Sequence, residues 1–130
     1  MGVETATAVP RSPVSATIAV RDHVIIQDKP PASGGQDLGA MSSELLLAGL
    51  LGCQLSTFHK VAAKRRSDVR ALSIRGDMHF EHGDIARIDL HWTFSGGEDR
   101  ELDTLTRLTE KTCTISKALR VPVHVDYARS

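Results

Sequence analysis

The chain is 130 residues long, room for one domain with a modest core, and it is 41% apolar and 25% charged, the balance of a soluble globular protein. Sixteen basic and sixteen acidic side chains cancel, which removes any electrostatic case for nucleic acid or an anionic membrane as partner. The longest strongly apolar run, Leu45 to Cys53, is under half a bilayer span, and the first dozen residues lack the basic start and apolar stretch of a signal peptide, so a cytoplasmic protein is expected.

Residues 1–13, small, polar and carrying two prolines, read as a flexible N-terminal arm, with the folded domain over 14–130. "VSATIAVR" and "HVIIQD" read as two short strands joined near Arg21 and Asp22, a hairpin. From Lys29 to Ala40 the chain is a loop dense in proline and glycine, read first as turn chemistry at Pro30, Pro31, Gly34 and Gly35 and second as walls of a pocket. No lysine follows its glycines at a phosphate-capping distance, so a phosphate cradle is not expected. The strongest helix signal follows. Ser42 or Ser43 can cap it, Glu44 suits its positive end, and Lys64, Arg65 and Arg66 suit its negative end. Its first half is apolar nearly all round. The belt of Leu45, Leu46, Leu47, Leu50 and Leu51 exceeds what a small sheet can cover, which calls for a second subunit.

"ALSIRGDMHFEH" alternates, placing Leu72, Ile74, Met78 and Phe80 on one side; "IARIDLHWTF" alternates again, with Ile88, Leu90, Trp92 and Phe94 inward. The two are expected to pair as half-buried antiparallel strands. After "SGGED" a second helix carries Leu102, Leu105 and Leu108 on one face, and Cys113 comes near its end. "VPVHVDYA" closes as a strand that Pro122 places at an edge or a strand start. The order β-β-α-β-β-α-β is an α+β plan.

Two cysteines do not make a disulfide scaffold. In a reducing compartment such a pair is either inert or redox-active. The six histidines show no zinc-ligand spacing, and "HFEH" lies on a strand whose ends face opposite sides. Cys53, among leucines, reads first as a small core residue and only second as a buried nucleophile. It lies about three turns into its helix, beyond useful reach of the dipole, so a reactive thiolate there needs a cation from elsewhere in the fold. Whether Cys113 reaches Cys53 is not readable from the spacing.

The stretch "DHVIIQDKPPASGGQDLGAMSSELLLAGLLGCQLSTF", followed by "EKTCTISKAL" after a leucine-spaced helix, resembles the OsmC/Ohr family from about Ala16 to the C-terminus. The resemblance implies an α+β fold of antiparallel sheets with a long central helix and a second helix, assembled as an intertwined homodimer. It implies a cysteine-dependent peroxidase that reduces organic hydroperoxides, with Cys53 peroxidatic and Cys113 resolving through a sulfenic acid and a disulfide. A dithiol reductant, protein-bound lipoamide in relatives, then resets the pair. Arg21 matches the activating arginine of the N-terminal hairpin, and neither metal nor organic cofactor is implied. The sequence departs from the family pattern at Ser42, at Ser43 where an acid usually holds that arginine, and at Thr114 where a proline usually follows the second cysteine. Two other readings stay open: a non-enzymatic small-molecule binding or scaffold dimer of the same fold, and a thiol–disulfide oxidoreductase with a non-peroxide substrate.

Overall fold

The computed structural model describes residues 2–130. Its elements run β1 (Thr7–Ser12), β2 (Ser15–Val20), β3 (His23–Gln27), α1 (Ser42–Lys64), β4 (Arg70–Glu81), β5 (Asp84–Ser95), α2 (Asp99–Thr112), α3 (Thr114–Ala118) and β6 (Val123–Arg129), with a 3-10 turn at Pro31–Ser33. They fall into two compact units, Met1–Leu46 and Leu47–Ser130.

The first unit is an antiparallel sheet in the order β1-β2-β3. Thr7–Ser12, expected within a flexible arm, instead pairs along β2 from Thr7↔Ala19 to Ser12↔Ser15. The expected β2–β3 hairpin is present, with Val20 opposite His23 and Arg21 at φ 52 in the two-residue turn. Beyond β3, Asp28 organises the long loop. It is 2% exposed, and its carboxylate accepts the backbone N–H groups of Lys29 at 2.8 Å, Leu38 at 3.1 Å and Gln36 at 3.2 Å. The loop closes against β3 at Gly39, where a Cβ would lie 1.8 Å from the Ile26 carbonyl oxygen, so only glycine fits.

Those amides, Lys29 first, then Leu38 and, after the opposing effect of burial, Gln36, hold the Asp28 carboxyl below its usual range with help from the Arg11 charge. A carboxylate lowered on folding contributes stability above its unfolded pKa of about 3.9 and loses it as pH falls through the folded value. Acid is therefore expected to loosen this loop, with smaller amide protection factors at Lys29, Gln36 and Leu38 below about pH 4. Asp28→Ala should show small protection factors at neutral pH and lose that acid dependence; large, pH-independent protection factors in the unaltered chain would contradict it.

In the second unit α1 lies on a sheet ordered β4-β5-β6. β4 and β5 are antiparallel, but β5 and β6 are parallel, so this sheet is mixed rather than wholly antiparallel. The reason is the connection: a helical crossover through α2 and α3 returns the chain in the same direction, as no hairpin can. Ile88, Leu90, Trp92 and Phe94 are all at most 1% exposed, as the alternation of β5 requires. Phe58 of α1 stacks on Phe94 and lies tilted against Trp92, with centroids 5.0 and 5.2 Å apart, closing one core cluster with Leu102 and Leu105. A second cluster gathers Leu50, Ile88, Leu90 and Cys113.

Two expected inward residues of β4 face out. Leu72 is 47% and Phe80 53% exposed, because register shifts between Ala71 and Ser73 and between His79 and Phe80 break the two-residue alternation. Ile74 and Met78 pack inward as expected, and Ala71 joins them.

The start of α1 also differs from expectation. Met41, not a serine, occupies the cap position: its carbonyl accepts the Leu45 N–H at 2.9 Å, and the Glu44 carboxylate reaches back to accept the Met41 N–H at 2.8 Å. At the other end Arg66 sits at φ 52, with Ser67 N–H donating to the Ala62 carbonyl. That is a left-handed helix stop made without glycine. By length and composition alone α1 is long and apolar enough to cross a bilayer. The buried residues include Leu50 and Phe58 in the two core clusters, so the helix is packed on protein along one side.

Candidate active site

Cys53 sits on α1 one turn before Thr57, half-buried at the edge of the second core cluster. Cys113 stands at the break between α2 and α3, fully buried, with a non-helical ψ of 121°. Its own N–H still donates to the Thr109 carbonyl at 2.8 Å, and its carbonyl accepts the Lys117 N–H at 3.0 Å. This kink points the Cys113 thiol at Cys53, with the two sulfurs 2.9 Å apart and both thiols free. The fold thus joins residues sixty apart in sequence, which spacing alone left open.

The two sulfurs are electrostatically unequal. Burial pushes the Cys53 thiol up, but four donors outweigh it and hold it below an ordinary cysteine: the Cys113 S–H, the Ile115 N–H, the Thr57 hydroxyl at 3.9 Å and the Thr114 N–H. Burial pushes the Cys113 thiol up as well, and donating its proton to Cys53 keeps it there, against smaller opposing hydrogen bonds from Ser116. When the pair gives up a proton, these directions favour the charge on Cys53 and the proton on Cys113.

Sequence reasoning looked for a cation and missed these amides, which belong to the short helix after Cys113 rather than to α1. It also passed over Gln54, fully buried beside Cys53, whose Nε2 donates to Glu110 Oε2 at 2.8 Å and to Ser116 Oγ at 2.9 Å. The legible signal was a glutamine inside an apolar helix face, a residue rarely buried without partners. Arg21 lies in the first unit, exposed at the β2–β3 turn; the sulfur pair belongs wholly to the second.

Next to the pair, a groove of about 600 Å³ is lined by Thr57, Lys60, Val61, Leu108, Thr112 and Thr114 among others. Among the described residues, no group of three or more His, Cys, Asp or Glu is arranged to hold a metal ion.

A model of the family described as OsmC-like protein matches residues 34–128. A search of curated proteins finds no match. Solved structures do match over nearly the whole chain. An OsmC-like protein from Mycoplasma pneumoniae is 19% identical, with 98% of this chain and 97% of that one covered and a TM-score of 0.79. An organic hydroperoxide resistance protein OsmC from Legionella pneumophila, also described as a predicted redox protein and regulator of sulfide bond formation, is 20% identical over 100% and 98%, with a TM-score of 0.75. The organic hydroperoxide resistance protein OhrB of Bacillus subtilis is 18% identical over 99% and 98%, with a TM-score of 0.74. At these identities the structures establish the shared fold. The family match spans most of the sequence, both cysteines included, and the chain belongs to the OsmC-like protein family.

Proposed function

We propose that this protein is a thiol-dependent peroxidase that reduces organic hydroperoxides, working in the cytoplasm as a homodimer. The observation that carries the reading is the pair of free thiols with sulfurs 2.9 Å apart, Cys113 donating to Cys53, in an order of acidity that favours Cys53 as the thiolate. The Cys53 thiolate attacks the terminal peroxide oxygen; the O–O bond breaks, an S–O bond forms, and the departing alkoxide takes a proton to leave as alcohol. Cys53 is then a sulfenic acid. Cys113, as thiolate, attacks that sulfur; the S–S bond forms and hydroxide leaves, taking a proton to become water. Two electrons from a dithiol, such as a lipoylated protein, return both thiols by exchange. The family, and relatives named for organic hydroperoxide resistance, support the peroxide step. Val61 and Leu108 give the adjacent groove an apolar wall suited to an alkyl body.

Stopped-flow oxidation with cumene hydroperoxide followed by thiol counting tests the reading. One equivalent is expected to consume both thiols of each chain. Thiols that survive excess hydroperoxide would overturn it. Survival to peroxide together with rapid exchange against disulfides would favour the thiol–disulfide oxidoreductase reading, which the same vicinal pair supports.

Arg21 is the proposed activating cation, since an arginine stays charged at every working pH. Arg21→Ala is expected to slow peroxide reduction at least tenfold, about 1.4 kcal/mol of barrier, with little change in melting temperature. Alanine meets the same left-handed backbone at φ 52 as arginine does, so the comparison isolates the charge, and Arg21→Lys should retain most of the rate. Equal Cys53 alkylation midpoints in the wild type and Arg21→Ala would make Arg21 an ordinary turn residue.

A further inference from the structure

We propose that Gln54 is a positioning residue, which with Glu110 and Ser116 locks the α2–α3 kink and so sets Cys113 and the Thr114 and Ile115 amides against Cys53. The proposal rests on the reading above for its role in turnover, but the brace itself is a statement about the two sulfurs.

The helix ladder reaches Cys113 from both sides, through the Thr109 carbonyl and the Lys117 N–H, but no ladder bond spans it. At Cys113 the backbone leaves helical geometry, with φ −59° and ψ 121°, and its side chain makes no cap hydrogen bond to the start of α3. Glu110 stands three residues before Cys113 and Ser116 three after, one on each side of the break. Gln54 Nε2 binds both, at 2.8 and 2.9 Å, and the Ser116 hydroxyl donates to the same Glu110 oxygen at 3.1 Å. Three helices therefore meet in one closed triangle of hydrogen bonds. Its α1 corner is the residue next to Cys53.

The chemistry of Gln54 argues against a filler role. Its side chain is fully buried, yet its Oε1 has no partner. A leucine would fill the same space without an unpaired oxygen, so the glutamine is suited to this site by its two amide protons. Both go to groups flanking Cys113. The demand for such a lock is geometric: a disulfide needs sulfurs at about 2.05 Å with a dihedral near 90°, and misplacement of a reacting group by about 1 Å can cost roughly a hundredfold in rate.

The test uses the full chain and two oxidants. Exchange with oxidised dithiothreitol joins Cys53 to Cys113 as the cyclic disulfide of the reagent opens to its dithiol, so it reads the equilibrium of the pair without any peroxide. Gln54→Leu is expected to lower the equilibrium constant for this disulfide at least tenfold and to raise the pH midpoint of Cys53 alkylation as the two amides drift away. The exchanged pair Gln54→Glu with Glu110→Gln restores an amide facing a carboxylate, and should return both readouts to within about threefold of wild type. If Gln54→Leu does not fold, as judged by circular dichroism, Ser116→Ala, which deletes one corner, should move both readouts in the same direction.

An unchanged equilibrium and midpoint in folded Gln54→Leu, or in Ser116→Ala where that variant stands in, would overturn the proposal. So would a folded exchanged pair that recovers neither. Cumene hydroperoxide separates the two ideas. A wild type inert to peroxide whose dithiothreitol equilibrium still falls tenfold in Gln54→Leu keeps the brace and removes the peroxidase. A peroxide-active wild type with an insensitive Gln54→Leu does the reverse.

Discussion

Cys113→Ser is expected to keep the first oxidation and lose the second. With Cys53 as the nucleophile and no partner sulfur, one equivalent of cumene hydroperoxide should yield a sulfenic acid trappable by dimedone, and excess should carry it to sulfinic acid. Turnover with a dithiol should fall at least a hundredfold, about 2.7 kcal/mol of barrier, as over-oxidised enzyme accumulates. Cys53→Ser should abolish the reaction from its first step. The same asymmetry fixes the pH dependence. Donors to the Cys53 sulfur lower its thiol pKa, so its reactivity persists to lower pH than that of an ordinary cysteine and is lost as pH falls through that value. Cys113, raised by burial, should alkylate only at higher pH. Mass spectrometry of protein labelled with limiting iodoacetamide across pH 5–10 checks the order. Labelling of Cys113 ahead of Cys53 would reverse the assignment of roles, and a Cys113→Ser protein that turns over normally would remove Cys113 from the mechanism.

Gly52→Gln is expected to convert the proposed dimer to monomer at micromolar concentration. The leucine belt read from the sequence is largely covered within the chain: Leu50 is fully buried, and Leu47 and Leu51 pack against its cluster. What α1 leaves uncovered is a stripe with Leu45, Ala48, Gly49, Gly52 and Ser56 on one face, of which all but half-buried Leu45 are exposed. A Cβ on Gly49 or Gly52 would meet nothing within 4 Å. A side chain there costs the single chain nothing and, by helix propensity, should stabilise it by roughly 0.5–1 kcal/mol. A second α1 crossing at this stripe would lose close backbone approach. Sedimentation equilibrium of wild type and variant decides it. A wild-type dimer with a monomeric Gly52→Gln, and a melting temperature that depends on concentration, is the expected result. Equal dimers would place the interface elsewhere, and a folded wild-type monomer would remove the homodimer altogether.

The sequence by itself determined the elements whose signal is local. Apolar alternation named the four inward residues of β5, leucine spacing named the buried face of α2, and polar ends with an apolar middle located α1 to within two residues. The cysteines in their family setting were enough to suggest redox chemistry. Other features needed the tertiary structure because they depend on partners distant in sequence. Leu72 and Phe80 turned outward through strand bulges, which depend on how β4 registers on β5. β6 lies parallel to β5 because of where a crossover returns. Above all, Cys53 gains three of its four hydrogen-bond donors from Cys113, Thr114 and Ile115, about sixty residues away, delivered by a kink that no periodicity announces. A one-dimensional pattern records which face a residue takes. Which sulfur holds the proton depends on atoms within about 4 Å, and only packing brings those together.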